Sequence, residues 1–98
     1  MVEYEVTITV EKEIFDDYMV WLKEHISEML KLEGFKDASF YHVDVLNSQV
    51  ICVRYEVESR ELLEGYIKNQ AQRMRAQSNQ NFVGKYSISR RILFKGDI

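Results

Sequence analysis

The chain has no proline, one cysteine and four glycines among 98 residues. Without proline no rigid linker divides it. A length near 100 residues with no shift in composition along it reads as one domain over residues 1–98. Cys52 stands alone, so no intrachain disulfide can form; a reducing compartment, the cytoplasm, is the expected location. Gly34, Gly65, Gly84 and Gly96 are isolated from one another, which excludes the Gly-rich loop that cradles phosphates. His25 and His42 are far apart and neither stands at a zinc-like spacing from Cys52, so no metal is expected. Nor is any organic cofactor.

Long apolar runs are missing as well. No segment approaches the roughly 18–20 residues of a membrane helix. The start, Met1-Val2-Glu3-Tyr4-Glu5, is acidic and alternating, unlike the basic-then-apolar opening of a secretory signal. Charge of one sign is not in large excess: 13 Lys+Arg stand against 16 Asp+Glu, a formal net charge of -3. Mild acidity argues against nucleic acid or an anionic membrane as partner. At 46% hydrophobic and 30% charged residues the chain can build a globular core. A chain this short buries roughly 60–70% of its unfolded surface, leaving little room for an enclosed active site in one subunit.

What is present is periodicity. Val2 to Val10 alternates, with Val2, Tyr4, Val6, Ile8 and Val10 on one side and Glu3, Glu5, Thr7 and Thr9 on the other, a half-buried strand. From Lys12 to about Leu32 the period becomes 3.6, and Phe15, Tyr18, Met19, Leu22, Ile26, Met29 and Leu30 share a face. This helix lacks an evident N-cap; Gly34 stands where a left-handed residue would end it. Strands are expected over Lys36–Leu46 and Gln49–Glu58, joined by a tight turn at Asn47-Ser48. The first of these has two credible facings, Phe40, His42 and Asp44 or Tyr41, Val43 and Val45. Ser59 then caps a second helix, with Glu61 in its first turn and Leu62, Leu63, Tyr66, Ile67, Ala71 and Met74 at helical spacing. It loses definition over the polar stretch Gln77–Asn81. Lys85 to Phe94 alternates again, Tyr86, Ile88, Ile92 and Phe94 against Ser87, Ser89, Arg91 and Leu93.

The order β-α-β-β-α-β predicts the ferredoxin-like α+β fold: a four-stranded antiparallel sheet of order 4-1-3-2 with two helices on one face. The uncovered face would then carry Glu3, Glu5, Thr7, Thr9, Cys52, Arg54, Glu56, Glu58, Ser87, Ser89, Arg91 and Leu93. An RNA-recognition module of this architecture needs aromatic platforms on its central strands, and those positions are Glu, Thr, Cys and Arg here.

Three constellations carry possible chemistry. Trp21, His25 and Glu28 flank the apolar stripe of the first helix beside Tyr18 and Met29. A histidine beside an aromatic at a pocket rim can act as a general base, and the blander alternative is a helix shoulder packed over the sheet. Glu5, Arg54, Glu56 and Arg91 share the uncovered face. Arg54 and Arg91 suit a carboxylate-bearing ligand, while an interstrand salt-bridge lattice is the commoner use of such a set. His42 and Asp44 point the same way along one strand but sit roughly 7 Å apart. The arginines at 73, 75, 90 and 91 read as helix-surface solvation and strand-edge protection rather than as a nucleic-acid site.

Trp21-Leu22-Lys23-Glu24-His25-Ile26-Ser27-Glu28-Met29, then Gly34-Phe35, then Arg90-Arg91-Ile92-Leu93, resemble a family of small bacterial proteins known only as a domain of unknown function within the dimeric α/β-barrel superfamily. The resemblance runs from Tyr4 to Leu93. Where that family often shows His-Ala-Pro in the second helix, this chain has Asn69-Gln70-Ala71-Gln72. The resemblance implies two sheets paired face to face in a dimer, and relatives that use the cavity for cofactor-light monooxygenation, haem breakdown or isomerisation.

The expectation is therefore a homodimer, without nucleic-acid or membrane partners, that binds a small and, given its arginines, anionic metabolite in or beside the inter-subunit sheet cavity. Tyr18, Trp21, Arg54 and Arg91 would contact the ligand. The alternatives are a monooxygenase- or isomerase-type enzyme with His25 or His42 as base and Trp21 and Tyr18 shaping the pocket, and a structural interaction module.

Overall fold

The period-2 segments form strands and the period-3.6 segments form helices. In the computed structural model β1 spans Val2–Val10, α1 Phe15–Met29, β2 Phe35–Val43, β3 Gln49–Val57, α2 Arg60–Asn69, α3 Ala71–Phe82 and β4 Tyr86–Phe94. It describes the backbone of residues 1–98 and every side chain except those of residues 78–80. The strands make one antiparallel sheet of order β2-β3-β1-β4, the expected order read from the opposite edge. The apolar side of β1 and β3 meets Tyr18, Leu22 and Met29 of α1 and Leu63 and Tyr66 of α2, all buried. Each such side chain contributes roughly 1.5–3 kcal/mol by leaving water.

The helix ends follow local chemistry. A 3-10 turn over Lys12–Ile14 leads into α1, whose N-cap, Ile14, makes no side-chain cap bond. Asp16 and Asp17 in its first turn complement the helix dipole instead. α1 stops at Met29, three residues earlier than its apolar pattern suggests. Gly34 beyond it has φ +87°, and a Cβ there would lie 2.7 Å from Leu62 Cδ1. Glycine is thus required twice, by the left-handed backbone and by the close passage of α2. Ser59 caps α2 as expected, its Oγ accepting from the Leu62 N–H at 3.2 Å.

Three local expectations need correction. β2 ends at Val43 rather than Leu46, so the hairpin connection covers residues 44–48 instead of a two-residue turn, with Asn47 left-handed at φ 62°. The second helix is two helices, broken at Gln70, where the backbone leaves helical values at φ -129°, ψ -23°. An unbroken helix would carry Gln70, seven residues after Leu63 and four after Tyr66, onto the buried stripe. The break re-phases the chain so that Ala71 is buried beside Met74 and Gln70 is left half-buried. The helix then persists through the polar stretch Gln77–Asn81 to Phe82; the side chains of residues 78–80 lie outside the described residues.

The facing of β2 is fixed by its register. Ala38, Phe40 and His42 stand opposite Tyr55, Val53 and Ile51 and so lie on the helix side. Ser39, Tyr41 and Val43 lie on the open side. A bulge between Phe35 and Asp37 returns Phe35 to the core as well.

Candidate functional site

The two faces of the sheet hold two different sets of arginines. On the open face Glu5 stands directly opposite Arg54 on β3 and Arg91 on β4. Arg54 Nε donates to Glu5 Oε2 at 2.8 Å and Arg91 Nε to Glu5 Oε1 at 2.5 Å. Arg54 Nη1 also lies 4.0 Å from Glu3 Oε2. The two guanidinium groups cover Glu5, which is only 4% exposed although no helix crosses this face. The hydrogen bond from Arg91, with that from Arg54, holds the Glu5 carboxyl below its ordinary pKa against the opposing effect of burial. Both arginines are correspondingly held more firmly protonated by Glu5. This is the interstrand lattice, with each Nε donor already committed to a carboxylate.

On the helix side α1 and the α2–α3 pair leave a cleft over Val6 of β1. Tyr18, Trp21 and His25 line it from α1, Met74 and Arg75 from α3, and Arg90 from β4. No acidic residue lines it. The Trp21 and His25 rings are stacked, 4.6 Å between centroids and 17° apart, and Tyr18 tilts against Trp21 at 5.4 Å. Helical geometry explains the trio: residues 18, 21 and 25 are spaced three and four apart, so they fall in one row on α1. Arg75 Nη2 donates to Tyr4 Oη at 3.3 Å. Arg90 is exposed at the rim, and among the described residues no carboxylate pairs with it. The free volume inside is about 40 Å³.

Two polar side chains of α1 in this cleft, Tyr18 and His25, differ from Arg75 in how they are held. Tyr18 is 0% exposed, and among the described residues its hydroxyl and His25 Nδ1 are buried without a hydrogen-bond partner. Burial, reinforced by the Arg90 charge and opposed by Glu28, pushes the His25 pKa down to about 4, so its imidazole is neutral near pH 7. Burial also pushes the Tyr18 hydroxyl above the ordinary phenol range, with Tyr86 adding to it and Arg90 opposing. A hydroxyl that stays protonated remains a donor at every physiological pH. Burial raises Tyr66 as well, to about 12.

The residues singled out in the sequence therefore divide. Tyr18, Trp21 and His25 come together in the cleft. Arg54 and Arg91 lie on the other face of the sheet and share Glu5, so the four residues expected to contact one ligand do not form one site. His42 sits toward the edge of the sheet against Phe15 and Phe40, at 6.2 and 5.5 Å between ring centroids, and is absent from the residues lining the cleft. Sequence reasoning missed Arg75 and Arg90 as cleft residues and treated them as surface solvation. The signal was available for Arg90: in β4 the helix-facing positions are 86, 88, 90, 92 and 94, and only 90 is not apolar. A charge on the core-facing side of a strand requires an opening above it. Among the described residues no group of His, Cys, Asp and Glu is placed to hold a metal, and no helix is long and apolar enough to cross a membrane.

A family model, a domain of unknown function (DUF4286), matches residues 1–95. The chain belongs to this family. DUF4286 thus covers the whole sheet and all three helices described above. A search of curated protein sequences finds no match. Among solved structures, an Arabidopsis thaliana protein superposes with TM-score 0.73 at 13% identity, over 100% of this chain and 98% of that one. A conserved protein from Methanosarcina mazei Go1 gives 0.68 at 20% identity, over 98% and 94%. A protein from Deinococcus radiodurans described as an antibiotic biosynthesis monooxygenase gives 0.72 at 10% identity, over 100% and 95%. At such identities the likeness establishes a shared ferredoxin-like fold for this DUF4286 chain, and fold alone assigns no chemistry.

Proposed function

We propose that the protein is a homodimeric, cytoplasmic small-molecule-binding protein whose ligand is an anion held in the helix-side cleft of each subunit. One observation carries this reading: an aromatic-walled cleft bordered by Arg75 and Arg90 and by no acid, in a chain of net charge -3. Arginines brought to a cleft without carboxylates attract an anionic group by charge and geometry. Arg54 and Arg91, already engaged by Glu5, suit the dimer rather than the ligand. Tyr41 and Val43 are exposed on the same open face, and a second sheet laid over it would cover them. The test is thermal denaturation of the purified protein against a panel of small organic acids, with Arg90→Ala as control. A selective rise in melting temperature that Arg90→Ala abolishes supports the reading. No rise with any acid leaves a structural interaction module as the better description. Light scattering behind size exclusion tests the dimer, with a mass near twice 11.7 kDa expected.

A second reading, an enzyme of the cofactor-light monooxygenase or isomerase type, is favoured by His25. Its imidazole is neutral, stacked on Trp21, and has an unengaged Nδ1. Such a group can accept a proton from a bound acid. Any turnover should then be lost in His25→Ala and kept in His42→Ala.

A further inference from the structure

The size of the cleft and the position of its unengaged polar atoms restrict the ligand further than charge does. A benzene ring needs a cavity of about 150 Å³, whereas a single water needs roughly 10–15 Å³. The cleft offers about 40 Å³, walled by Met29, Val53, Tyr55 and the neighbouring rings. That volume suits a body of three or four non-hydrogen atoms. Buried polar groups are seldom left without partners, so Tyr18 Oη and His25 Nδ1 require an occupant that is itself polar.

Resting on the anion-binding reading of this cleft, we infer that its ligand is a short planar oxyanion, a monocarboxylate of formate or acetate size. One oxygen accepts from the Tyr18 hydroxyl and the other from His25 in its Nδ1–H tautomer, with Arg90 balancing the charge at the rim. Tyr18 brings the donor without cost to itself, because its hydroxyl has no other partner to give up. The Trp21–His25 stack holds the plane of the imidazole. Water can fill the same space in the unliganded state, but it is neutral, whereas a carboxylate supplies both the acceptors and a charge opposite to that of Arg90. The methyl group of acetate would meet the apolar floor at Val6 and Ile88. Longer chains and aromatic acids exceed the space.

The experiment is a series of melting curves at neutral pH and constant ionic strength in sodium formate, acetate, nitrate, butyrate, benzoate or chloride, with the wild type, Tyr18→Phe and Arg90→Ala. Formate, acetate and nitrate at ten times their dissociation constants should raise the melting temperature by roughly 6–10 °C above chloride, and butyrate and benzoate should not. Tyr18→Phe should fold at least as well as wild type without ligand, since it removes an unpartnered hydroxyl, yet lose most of the acetate shift. If benzoate matches acetate, the size restriction is overturned and the anion reading of the cleft stands. If every anion behaves like chloride, both are overturned. An acetate shift that Tyr18→Phe leaves intact removes the proposed grip.

Discussion

Arg90 and Arg91 are neighbours in sequence and point to opposite faces of the sheet, and the two faces treat them differently. Arg91 meets Glu5, which Arg54 holds from the other side. Arg90 meets a neutral histidine, a protonated tyrosine and no carboxylate among the described residues. Guanidinium groups are costly to bring toward a folded core, and a structural role satisfies them with an acid of the same chain. An arginine at the rim of a cleft without one keeps its charge free for a ligand, which is the reading proposed for Arg90. Residue type therefore says little here; the identity of the partner distinguishes lattice from site.

The largest effect that separates the faces is acid titration of His25. Its folded pKa, about 4, lies below the ordinary 6.5, so between those values the unfolded chain binds a proton that the folded chain refuses. Stability is then full above pH 6.5 and falls as pH drops toward 4, by about 2–3 kcal/mol over the window. Urea titrations at half-unit pH steps should show this slope in wild type and its loss in His25→Gln. An unchanged slope in His25→Gln would move the titration elsewhere and remove the neutral imidazole from the cleft.

The open face responds in a lower window. The Glu5 pKa is depressed from 4.5, so its contribution is present above that value and disappears as pH falls through the lower folded value. Glu5→Gln should cost about 1–2 kcal/mol near pH 7, a moderate figure because both guanidinium groups stay in contact with water. It should also flatten the profile below pH 4.5 while leaving the His25 slope in place. If Glu5→Gln is as stable as wild type and of equal mass by light scattering, the carboxylate is not what orders this face.

Much of this arrangement is legible in the residues themselves. The alternation of β1 and β3 and the helical stripe of α1 carry the fold, because each buries one apolar face, and β4 alternates as well except at Arg90. β2 is not legible, since both of its faces mix apolar and polar side chains. Phe40 and Tyr41 are 38% and 53% exposed on opposite sides of this edge strand, so burial sorts neither. The break at Gln70 is hidden because glutamine is a good helix former and only tertiary packing turns Ala71 inward. Tyr18, Trp21 and His25 could be grouped from helical spacing alone. Arg75 and Arg90 join them from α3 and β4, more than forty positions away, Arg90 through its register opposite Val6 and Arg75 through the packing of α3.

The smallest effect sharpens the comparison most directly, because it uses two adjacent positions and one substitution. Arg91→Gln withdraws a charged donor from Glu5, and its urea midpoint should fall below that of wild type. Arg90→Gln gives up no ion pair and should stay within about 0.5 kcal/mol of wild type, as expected for a rim residue. Removing the Arg90 charge also relieves His25 of a neighbouring cation, so the His25 pKa should rise and the acid slope should narrow from its lower end. Proton NMR of the His25 ring across pH 3–7 reads that change directly. If Arg90→Gln destabilises as much as Arg91→Gln and leaves the His25 titration in place, Arg90 is a structural residue like Arg91 and the rim of the cleft offers a ligand no free charge from β4.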